Sequence, residues 1–548
     1  MKTKKWQRLG SFLLSIGMVA SAATSMVACR GGNEGGGSDA ENVLDIYLLY
    51  KGYGDAWLRG AMNNFKKQDW VKQKYPNLTI NYTFDANDTT PYNKLKSGKN
   101  INKFDLMFGV NLQELEDTGL LADLTDSVYL TEVPGEKGTR VIDKIPQETL
   151  DLVYRKNAPM RADGEDTYHV VAYIDSTYGM LYNADILEEL NLPMPVTTDQ
   201  FLSVGDQIKE KKYDSALGKD ESVVIMNAAQ DNYWKYSYEI FWTQYEGLEG
   251  YKNYFDGYDE VDMLYDSKTV LNQKGRLRAL EVIESIISGY SYESSWNVDY
   301  KAAQTSFLSG RGVFHFNGDY FVSEMQLEVE ALKKNGIDYD IRWMKMPVVS
   351  SIIEKTPTIQ DDQALQEVIL EIDADKTYDE SQAKTKGVSK ADFDTVAAAR
   401  MVGGFRASAT QSAVIPSYAG AKDLAADFLR YMYTNEAIQN FTADSRGILF
   451  PSTFNLFESE FVMNSVHPIE KTKFEMLAGT SNYSFTSLPN PSGTRLGKVG
   501  LTSLYFNGTF EGMFIQPLEN RMRPADILET EQSYWSNTAW DQMTSRAK

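Results

Sequence analysis

Aromatic and short polar side chains are the residues of this sequence best suited to hold a ligand. The chain contains 33 Tyr, 25 Phe and 9 Trp residues, and the excess of tyrosine over phenylalanine indicates many rings with one polar edge, as at a polar binding surface. A large fold also carries many half-buried tyrosines, so position must decide between the two interpretations. Tyr53 and Asp55 lie in a glycine-containing turn between a predicted strand and a predicted helix, where ligands bind in open α/β sheets. Asp55 could instead cap the helix.

Three other positions are candidates on the same grounds, each with a structural alternative. Asn111 follows the strand that ends near Phe108, and it could contact a ligand or cap a helix. Trp234 opens an aromatic-dense stretch whose helical spacing favours a buried stripe. Trp296 lies in the polar segment SYESSWNVDY, where an indole indicates a binding surface more strongly than one on an apolar stripe does. The stripe consists of Trp234, Tyr238, Phe241 and Tyr245.

Sequence motifs for catalysis, phosphate binding and metal binding are absent. The chain has no Gly-x-Ser-x-Gly, Gly-x-x-x-x-Gly-Lys, Gly-x-Gly-x-x-Gly or His-Glu-x-x-His segment. One cysteine and three scattered histidines disfavour a metal site, and the acidic clusters 256–262 and 373–380 lack the pattern of a calcium-binding loop. The 76 acidic residues leave a carboxylate pair for glycoside hydrolysis possible, but no spacing marks one. We therefore expect no metal, no cofactor and no enzymatic activity.

The overall charge argues against a nucleic-acid partner. Lys and Arg number 55 and Asp and Glu number 76, which gives a formal net charge of −21. No run of basic residues exceeds two. A chain of this kind repels phosphate backbones.

The first residues predict export and attachment to a membrane. Four basic residues within the first eight precede an uncharged stretch over 9–28 with an apolar centre, which is typical of a signal peptide. The segment Met26–Cys29 resembles a bacterial lipobox, in which the cysteine carries the lipid, and Cys29 is the only cysteine. The alternative is cleavage after Ala22 or Ala23, which would leave Cys29 as a free thiol. Residues 30–41 include five glycines and predict a flexible tether.

Alternating strands and helices position the candidate residues. Val43–Leu49 is an apolar run typical of a buried strand, a helix follows through Phe65, and the alternating residues Leu78–Phe84 predict the next strand. This alternation indicates an α/β fold with a mostly parallel sheet. Thr197 and Gln200 form a capping-box pattern before a further helix, and Lys422–Phe441 reads as a single late helix. Residues 351–400 are rich in charged side chains and predict a solvated insertion.

Five segments, taken in order, resemble the extracellular solute-binding proteins of bacterial carbohydrate ABC importers, the group typified by maltose-binding protein. They are VLDIYLLYKGYGDAWLRGAMNNFKKQ, FDLMFGVNLQELEDTGLLADLTDS, TYHVVAYIDSTYGMLYNADILEELNLPMPVTTDQFL, FLSGRGVFHFNGDYF and AVIPSYAGAKDLAADFLRYMYTNEAIQNF. Together they cover most of residues 43–450. The chain is longer than is usual for this family, and Tyr320 stands where the family often has tryptophan.

The resemblance implies a two-lobe fold in which each lobe is a mostly parallel sheet flanked by helices, with a ligand cleft between the lobes. It places crossing strands near 172–182 and 314–320. The implied division of the chain is a signal peptide over 1–28, a lipidated Cys29 and tether over 29–42, a first lobe over 43–172 and 321–425 with an insertion at 351–400, and a second lobe over 178–315 and 426–548 with a C-terminal extension.

The resemblance also implies a function and further site residues. Asp175 and Tyr178 lie in the crossing segment, where the family often contacts its ligand, and Asp319 and Tyr320 match its aromatic ligand contact. Tyr320 could alternatively pack inside with Phe321. The implied protein is a monomeric lipoprotein on the outer face of the cytoplasmic membrane, which captures an oligosaccharide and delivers it to an ABC permease. A surface polysaccharide-degrading enzyme and an adhesin or structural lipoprotein are the alternatives.

Overall fold

The computed structural model describes residues 42–110, 119–155, 167–211, 213–215, 218–220, 224–225, 233–257, 271–291, 300–486, 488, 511–534, 540–542 and 545. The strands are β1 Val43–Leu49, β2 Thr79–Asp85, β3 Leu106–Val110, β4 Tyr154–Arg155, β5 Thr167–Tyr168, β6 Val171–Asn183, β7 Tyr213–Ser215, β8 Gly218–Asp220, β9 Val224–Ile225, β10 Phe314–Gly318, β11 Ile341–Met344 and β12 Phe405–Val414.

The helices alternate with these strands in the first part of the chain, as predicted. They are α1 Ala56–Lys67, α2 Asp69–Lys74, α3 Thr90–Ser97, α4 Gln147–Val153, α5 Ala184–Glu189, α6 Thr198–Lys211, α7 Tyr233–Asp256, α8 Lys274–Ser285, α9 Tyr300–Leu308, α10 Phe321–Glu324, α11 Gln326–Lys334, α12 Asp362–Asp373, α13 Tyr378–Ser381, α14 Lys390–Met401, α15 Lys422–Met432, α16 Asn435–Asp444, α17 Glu460–Ser465, α18 Pro468–Ala478, α19 Gln516–Glu519 and α20 Pro524–Tyr534. Short 3₁₀ or π turns occupy Thr125–Tyr129, Val141–Lys144, Ile286–Tyr290, Ser350–Lys355, Leu456–Glu458 and Glu511–Ile515.

Hydrogen-bonding side chains explain where two of the helices begin. The amide of Gln200 donates to Oγ1 of Thr197 at 3.2 Å, which is half of the predicted capping box at the start of α6. The predicted helix Lys422–Phe441 is instead two helices, α15 and α16. The break occurs because Oγ1 of Thr434 accepts from the amide of Ala437 at 3.1 Å and so starts a new helix.

The first lobe is built on parallel strands, as the alternation of elements predicted. β1 pairs in parallel with β2 on one side and with β3 on the other. Parallel pairing brings the carboxyl ends of these strands to one edge of the sheet, so the turn after β1 lies at the edge where ligands bind in such folds.

Two long strands, β6 and β12, connect the lobes. β6 contributes Ile174 to the first hydrophobic core and Tyr178 to the second, and Leu181 further along the strand belongs again to the first. The chain returns between β10 and α10, where Phe316 belongs to the second core and Phe321 to the first. β12 makes a further crossing and pairs antiparallel with both β6 and β3.

The predicted arrangement of one mostly parallel sheet in each lobe needs correction in two respects. Because β6 and β12 pair with strands of both lobes, eight strands form one sheet, in which seven follow the order β2-β1-β3-β12-β6-β10-β9 and β11 pairs with β6 off this path. In the second lobe, β6 pairs antiparallel with β10 and β11, and only β9 with β10 is parallel. The α/β class and the two-lobe architecture are confirmed, with a mixed sheet.

The two cores also divide the late part of the chain differently from the predicted boundaries. Residues 424–477 of α15 to α18, including the fully buried Phe428, belong to the first core, although 426–548 was assigned to the second lobe. The predicted solvated insertion 351–400 instead buries Ile369 and Phe393 in the second core. Both α12 and α14 bury apolar residues, and Glu371, Asp392 and Arg400 are buried with them.

No helix within the described ranges combines the length and the apolar character needed to cross a membrane.

Candidate functional site at the lobe junction

Tyrosine rings from three segments meet where the chain crosses between the lobes. The rings of Tyr53 and Tyr320 are 5.6 Å apart, centre to centre. The hydroxyl of Tyr53 lies 3.1 Å from that of Tyr173, and the hydroxyl of Tyr320 lies 3.0 Å from Oγ of Ser176. Tyr53 is buried, whereas Tyr320 is half-buried. Tyr320 therefore packs against the first core without being enclosed by it. This position is intermediate between a ligand contact and a buried core residue.

A second group of rings faces the junction from the second lobe. Tyr178 stacks on Tyr236 with ring centres 4.2 Å apart, and Tyr236 lies 4.6 Å from Phe405 of β12. Gly318 permits this packing, because a Cβ atom there would lie 2.9 Å from the Tyr178 ring. Tyr178 is buried and Tyr236 is half-buried. We call Tyr53, Tyr178, Tyr236 and Tyr320 the junction tyrosines.

Three of the junction tyrosines, Tyr53, Tyr178 and Tyr320, carry protonated hydroxyls at physiological pH. Burial raises the pKa of Tyr53, Tyr178 and Tyr320 well above its ordinary value. A protonated hydroxyl both donates and accepts a hydrogen bond. The site can therefore present flat apolar faces together with neutral hydrogen-bonding groups.

Asp175 forms an ion pair with an arginine at the junction. Its carboxylate is almost fully buried, and Oδ2 accepts from Nε of Arg406 at 2.9 Å and also from Nη2. The Arg406 side chain remains partly exposed. Asp175, which was predicted to contact the ligand, thus orients Arg406 of β12, a residue that sequence reasoning missed.

Asp319 is a buried link between the crossing segments. The backbone amide of Asp319 donates to the backbone carbonyl of Thr177 at 2.8 Å, and Oδ2 of Asp319 accepts from the backbone amide of Thr177 at 3.0 Å. Lys473 lies 3.7 Å from Oδ2 and also pairs with Glu470. Burial raises the pKa of the Asp319 carboxyl to about 7, although the Lys473 ammonium acts in the opposite direction. Asp319 was predicted as a ligand contact, and in this structure it fixes the crossing.

Asp55 does not cap the helix that follows it. Within the described residues its side chain makes no capping hydrogen bond to α1. Instead Oδ2 accepts from the hydroxyl of Tyr82 at 2.8 Å, and Oδ1 lies 3.1 Å from Arg59. The carboxylate therefore connects the turn after β1 to strand β2 at the same edge of the sheet.

The remaining candidates lie apart from this group or outside the described residues. Trp234 has an exposed fraction of 0%, and the stripe that it begins is buried as its spacing favoured. Tyr236 lies on α7 between the stripe positions and reaches the junction. The tyrosine beside the stripe, and not the stripe itself, was therefore the sequence feature that indicated the site. Asn111, Trp296 and Cys29 lie outside the described residues.

Three cavities that described residues line lie apart from the junction tyrosines. Two of about 310 and 280 Å³ share Lys333 and His467, and a third of about 720 Å³ lies beside Lys471. Within the described ranges, His, Cys, Asp and Glu side chains form no group of three or more that could hold a metal ion. The junction is characterised by its rings and hydrogen-bonding groups.

Known structures with the same fold include several sugar-binding proteins. The bacterial solute receptor AcbH, described as having an exclusive preference for β-D-galactopyranose, matches with 13% identity and a TM-score of 0.54 over 93% of this chain and 100% of its own. A chitin oligosaccharide binding protein matches with 14% identity and a TM-score of 0.54 over 92% and 99%. The apo form of RafE from Streptococcus pneumoniae matches with 14% identity and a TM-score of 0.51 over 94% and 100%. At these identities the likeness shows the fold.

The family to which the chain belongs is shown by its sequence. No curated protein sequence matches the chain. The family model described as bacterial extracellular solute-binding protein matches residues 61–467, a span that contains both lobe crossings and most of the junction. The chain therefore belongs to the bacterial extracellular solute-binding protein family.

Proposed function

We propose that this protein is the lipid-anchored binding component of an ABC importer and that it captures an oligosaccharide between its lobes. The observation that carries the proposal is the meeting of the four junction tyrosines at the point where the chain crosses. The ligand is held without chemical change and is passed to a membrane permease. The expected lipid attachment at Cys29 keeps the protein near that permease.

The chemistry of the junction matches that of a neutral sugar. Sugar rings present flat C–H faces that pack on aromatic rings, and their hydroxyls need hydrogen-bond partners, since a buried unpaired polar group costs about 1–3 kcal/mol. Tyr236 and Tyr320 are half-buried rings, while Arg406, whose side chain is partly exposed, carries a guanidinium that can donate to hydroxyl oxygens. The net charge of −21 disfavours strongly anionic sugars. The sugar ligands of AcbH and of the chitin oligosaccharide binding protein support the same class.

Closure of the lobes explains how binding can be signalled to a permease. Tyr53 and Tyr320 pack with the first core, whereas Tyr178 belongs to the second and Tyr236 packs against it. A ligand that contacts both pairs stabilises the closed arrangement over the open one. The crossing segments are the positions at which the backbone can bend.

A thermal-shift screen of the mature domain against neutral oligosaccharides, uronic-acid oligosaccharides and short peptides tests the proposal. A ligand at 100 times its Kd should add about 2.7 kcal/mol to the free energy of unfolding. We expect stabilisation by at least one neutral oligosaccharide, followed by saturable binding in calorimetry. Stabilisation by peptides or by uronic-acid chains alone would contradict the proposed ligand class, and release of shorter products would indicate an enzyme.

A further inference from the structure

We infer that the outer edge of the first lobe carries a second, open sugar subsite formed by Tyr50, Tyr82 and Phe84, which binds the end of an oligosaccharide that extends out of the junction. We call these three residues the rim aromatics. The inference rests on the proposed function and adds a preference for longer chains.

The rim aromatics form an exposed ring surface at the carboxyl ends of β1 and β2. Phe84 and Tyr50 have exposed fractions of 55% and 39%, and their ring centres are 5.3 Å apart. Tyr82 stacks beside Phe84 with ring centres 6.5 Å apart and planes 29° from parallel. Exposed apolar side chains usually occur singly on soluble proteins, so a cluster of rings indicates a binding surface.

Polar groups border these rings in the way that a sugar requires. Lys51 pairs with Asp88, and Oδ1 of Asp85 accepts from the amide of Asn87 at 2.7 Å. Lys51 directly follows Tyr50 in the turn after β1, Asp85 directly follows Phe84 as the last residue of β2, and Asn87 and Asp88 lie in the turn after β2. Hydroxyls at the edges of a sugar ring would find donors and acceptors there, while its face rests on Phe84.

The rim aromatics are continuous with the junction. A Cβ atom on Gly54 would lie 3.7 Å from the hydroxyl of Tyr50, so the Tyr50 side chain lies against the turn that carries Tyr53. Tyr82 donates to Asp55 at the end of the same turn. One oligosaccharide could therefore follow a single surface from Tyr320, past the turn, to Phe84.

The test is the dependence of binding on the length of the sugar. Affinities are measured by calorimetry for maltose through maltohexaose and for the xylo- and chito-oligosaccharides of two to six units, using the series that the wild-type protein binds. By analogy with aromatic rings on which nucleic-acid bases stack, we expect Phe84→Ala to weaken binding of the longest member by roughly fivefold or more. Its effect on the shortest bound member should be less than twofold, and Phe84→Trp should restore affinity for the longest.

Phe461→Ala is the matched control. Phe461 has an exposed fraction of 50% and lies in α17, which packs with the first core away from β1 and β2. This variant should bind every length as the wild type does. Melting temperatures of both variants check that the fold is kept.

Three outcomes would overturn the inference. Equal affinity of Phe84→Ala and wild type for all lengths would remove the subsite and leave the proposed function intact. Self-association of the wild type that Phe84→Ala abolishes would show that a second copy of the chain covers the rim aromatics. Failure of every neutral oligosaccharide, both in these series and in the thermal-shift screen, would remove both the subsite and the proposed function.

Discussion

Tyr320 lies where the chain passes from the second core into the first, and its half-buried ring packs against the first core. Replacing it with alanine removes a stacking surface worth about 1–3 kcal/mol, by analogy with aromatic platforms for nucleic-acid bases. We expect Tyr320→Ala to weaken oligosaccharide binding roughly tenfold or more, with a modest fall in the melting temperature of the free protein because the ring is half-buried.

Tyr320→Phe separates the ring from its hydroxyl. It keeps the stacking surface and loses the 3.0 Å contact to Ser176, so binding should fall less than in Tyr320→Ala. Calorimetry and thermal melts of the two variants check this prediction. Unchanged affinity of Tyr320→Ala together with a large loss of melting temperature would show that the ring is only a core residue.

Asp319 makes stability depend on pH. Its pKa in the folded protein is about 7 because of burial, above the value of about 3.9 for an exposed aspartate. The folded state therefore binds this proton more tightly than the unfolded state does. The resulting stability is complete below about pH 4 and is lost as pH rises through about 7. Burial also raises the pKa of the neighbouring Glu470 and Asp175, which act in the same direction.

Asp319→Asn should reduce this pH dependence, because the amide stays neutral and can still accept from Thr177. Melting temperatures are compared at pH 5 and pH 8. The fall between these values should be smaller in the variant by a few degrees, since 1 kcal/mol corresponds to about 2–4 °C in larger domains. If the new amide only destabilised the fold, the melting temperature would fall equally at pH 5 and at pH 8. Asp338→Asn, at a side chain 61% exposed, should keep the wild-type slope, and an equal slope in Asp319→Asn would contradict the prediction.

The turn after β1 marked Tyr53, because a turn position depends on neighbouring residues, whereas Tyr320 was marked by the resemblance to the family. Neither signal was enough for Tyr236 and Arg406. Tyr236 is selected by packing against Phe405 on β12, and Arg406 by its pairing with Asp175. Both partners are distant in sequence, so no local spacing marks them.

At the scale of elements, the insertion 351–400 is a structural part of the second lobe. Ile369 on α12 is fully buried and belongs to the second core, whereas its neighbour Leu370 has an exposed fraction of 54%. Ile369→Ala should lower the free energy of unfolding by about 2–5 kcal/mol, because it leaves a cavity in a packed core. Leu370→Ala, the matched control, should change it by less than about 0.5 kcal/mol. Denaturant titrations measure both, and equal small effects would restore the picture of a solvated insertion.

The strands and helices of the first lobe could be predicted from local sequence, whereas the strand pairing of the second lobe could not. Apolar runs and alternation marked β1 and β2, and strands separated by helices pair in parallel. The antiparallel pairing of β6 with β10 and β11 joins segments separated by long stretches of chain, and nothing local encodes it. The high content of charged residues over 351–400 obscured the apolar faces of α12 and α14, because composition alone does not show how apolar residues are spaced along a helix.

At the scale of the whole molecule, the proposed lipid on Cys29 would hold the protein at the membrane. We expect Cys29→Ala to release the protein into the medium or to leave it unprocessed, because the lipid would have no attachment point. Fractionation of cells and mass spectrometry of the mature terminus check this prediction. Calorimetry on the released variant should give wild-type sugar affinity, since the junction lies in the body of the protein. An unmodified mature terminus elsewhere in the wild type would contradict the anchor.

The interleaving of the two cores has a consequence for how the chain is made and exported. The first core takes side chains from Leu44 through Leu477, and the second from Tyr178 through Trp540. Domains otherwise begin to fold as they emerge from the ribosome, but here neither core has all its members until most of the 548 residues have been synthesised. The order of segments thus delays folding during translation, which suits a chain that must be threaded across a membrane before it becomes compact.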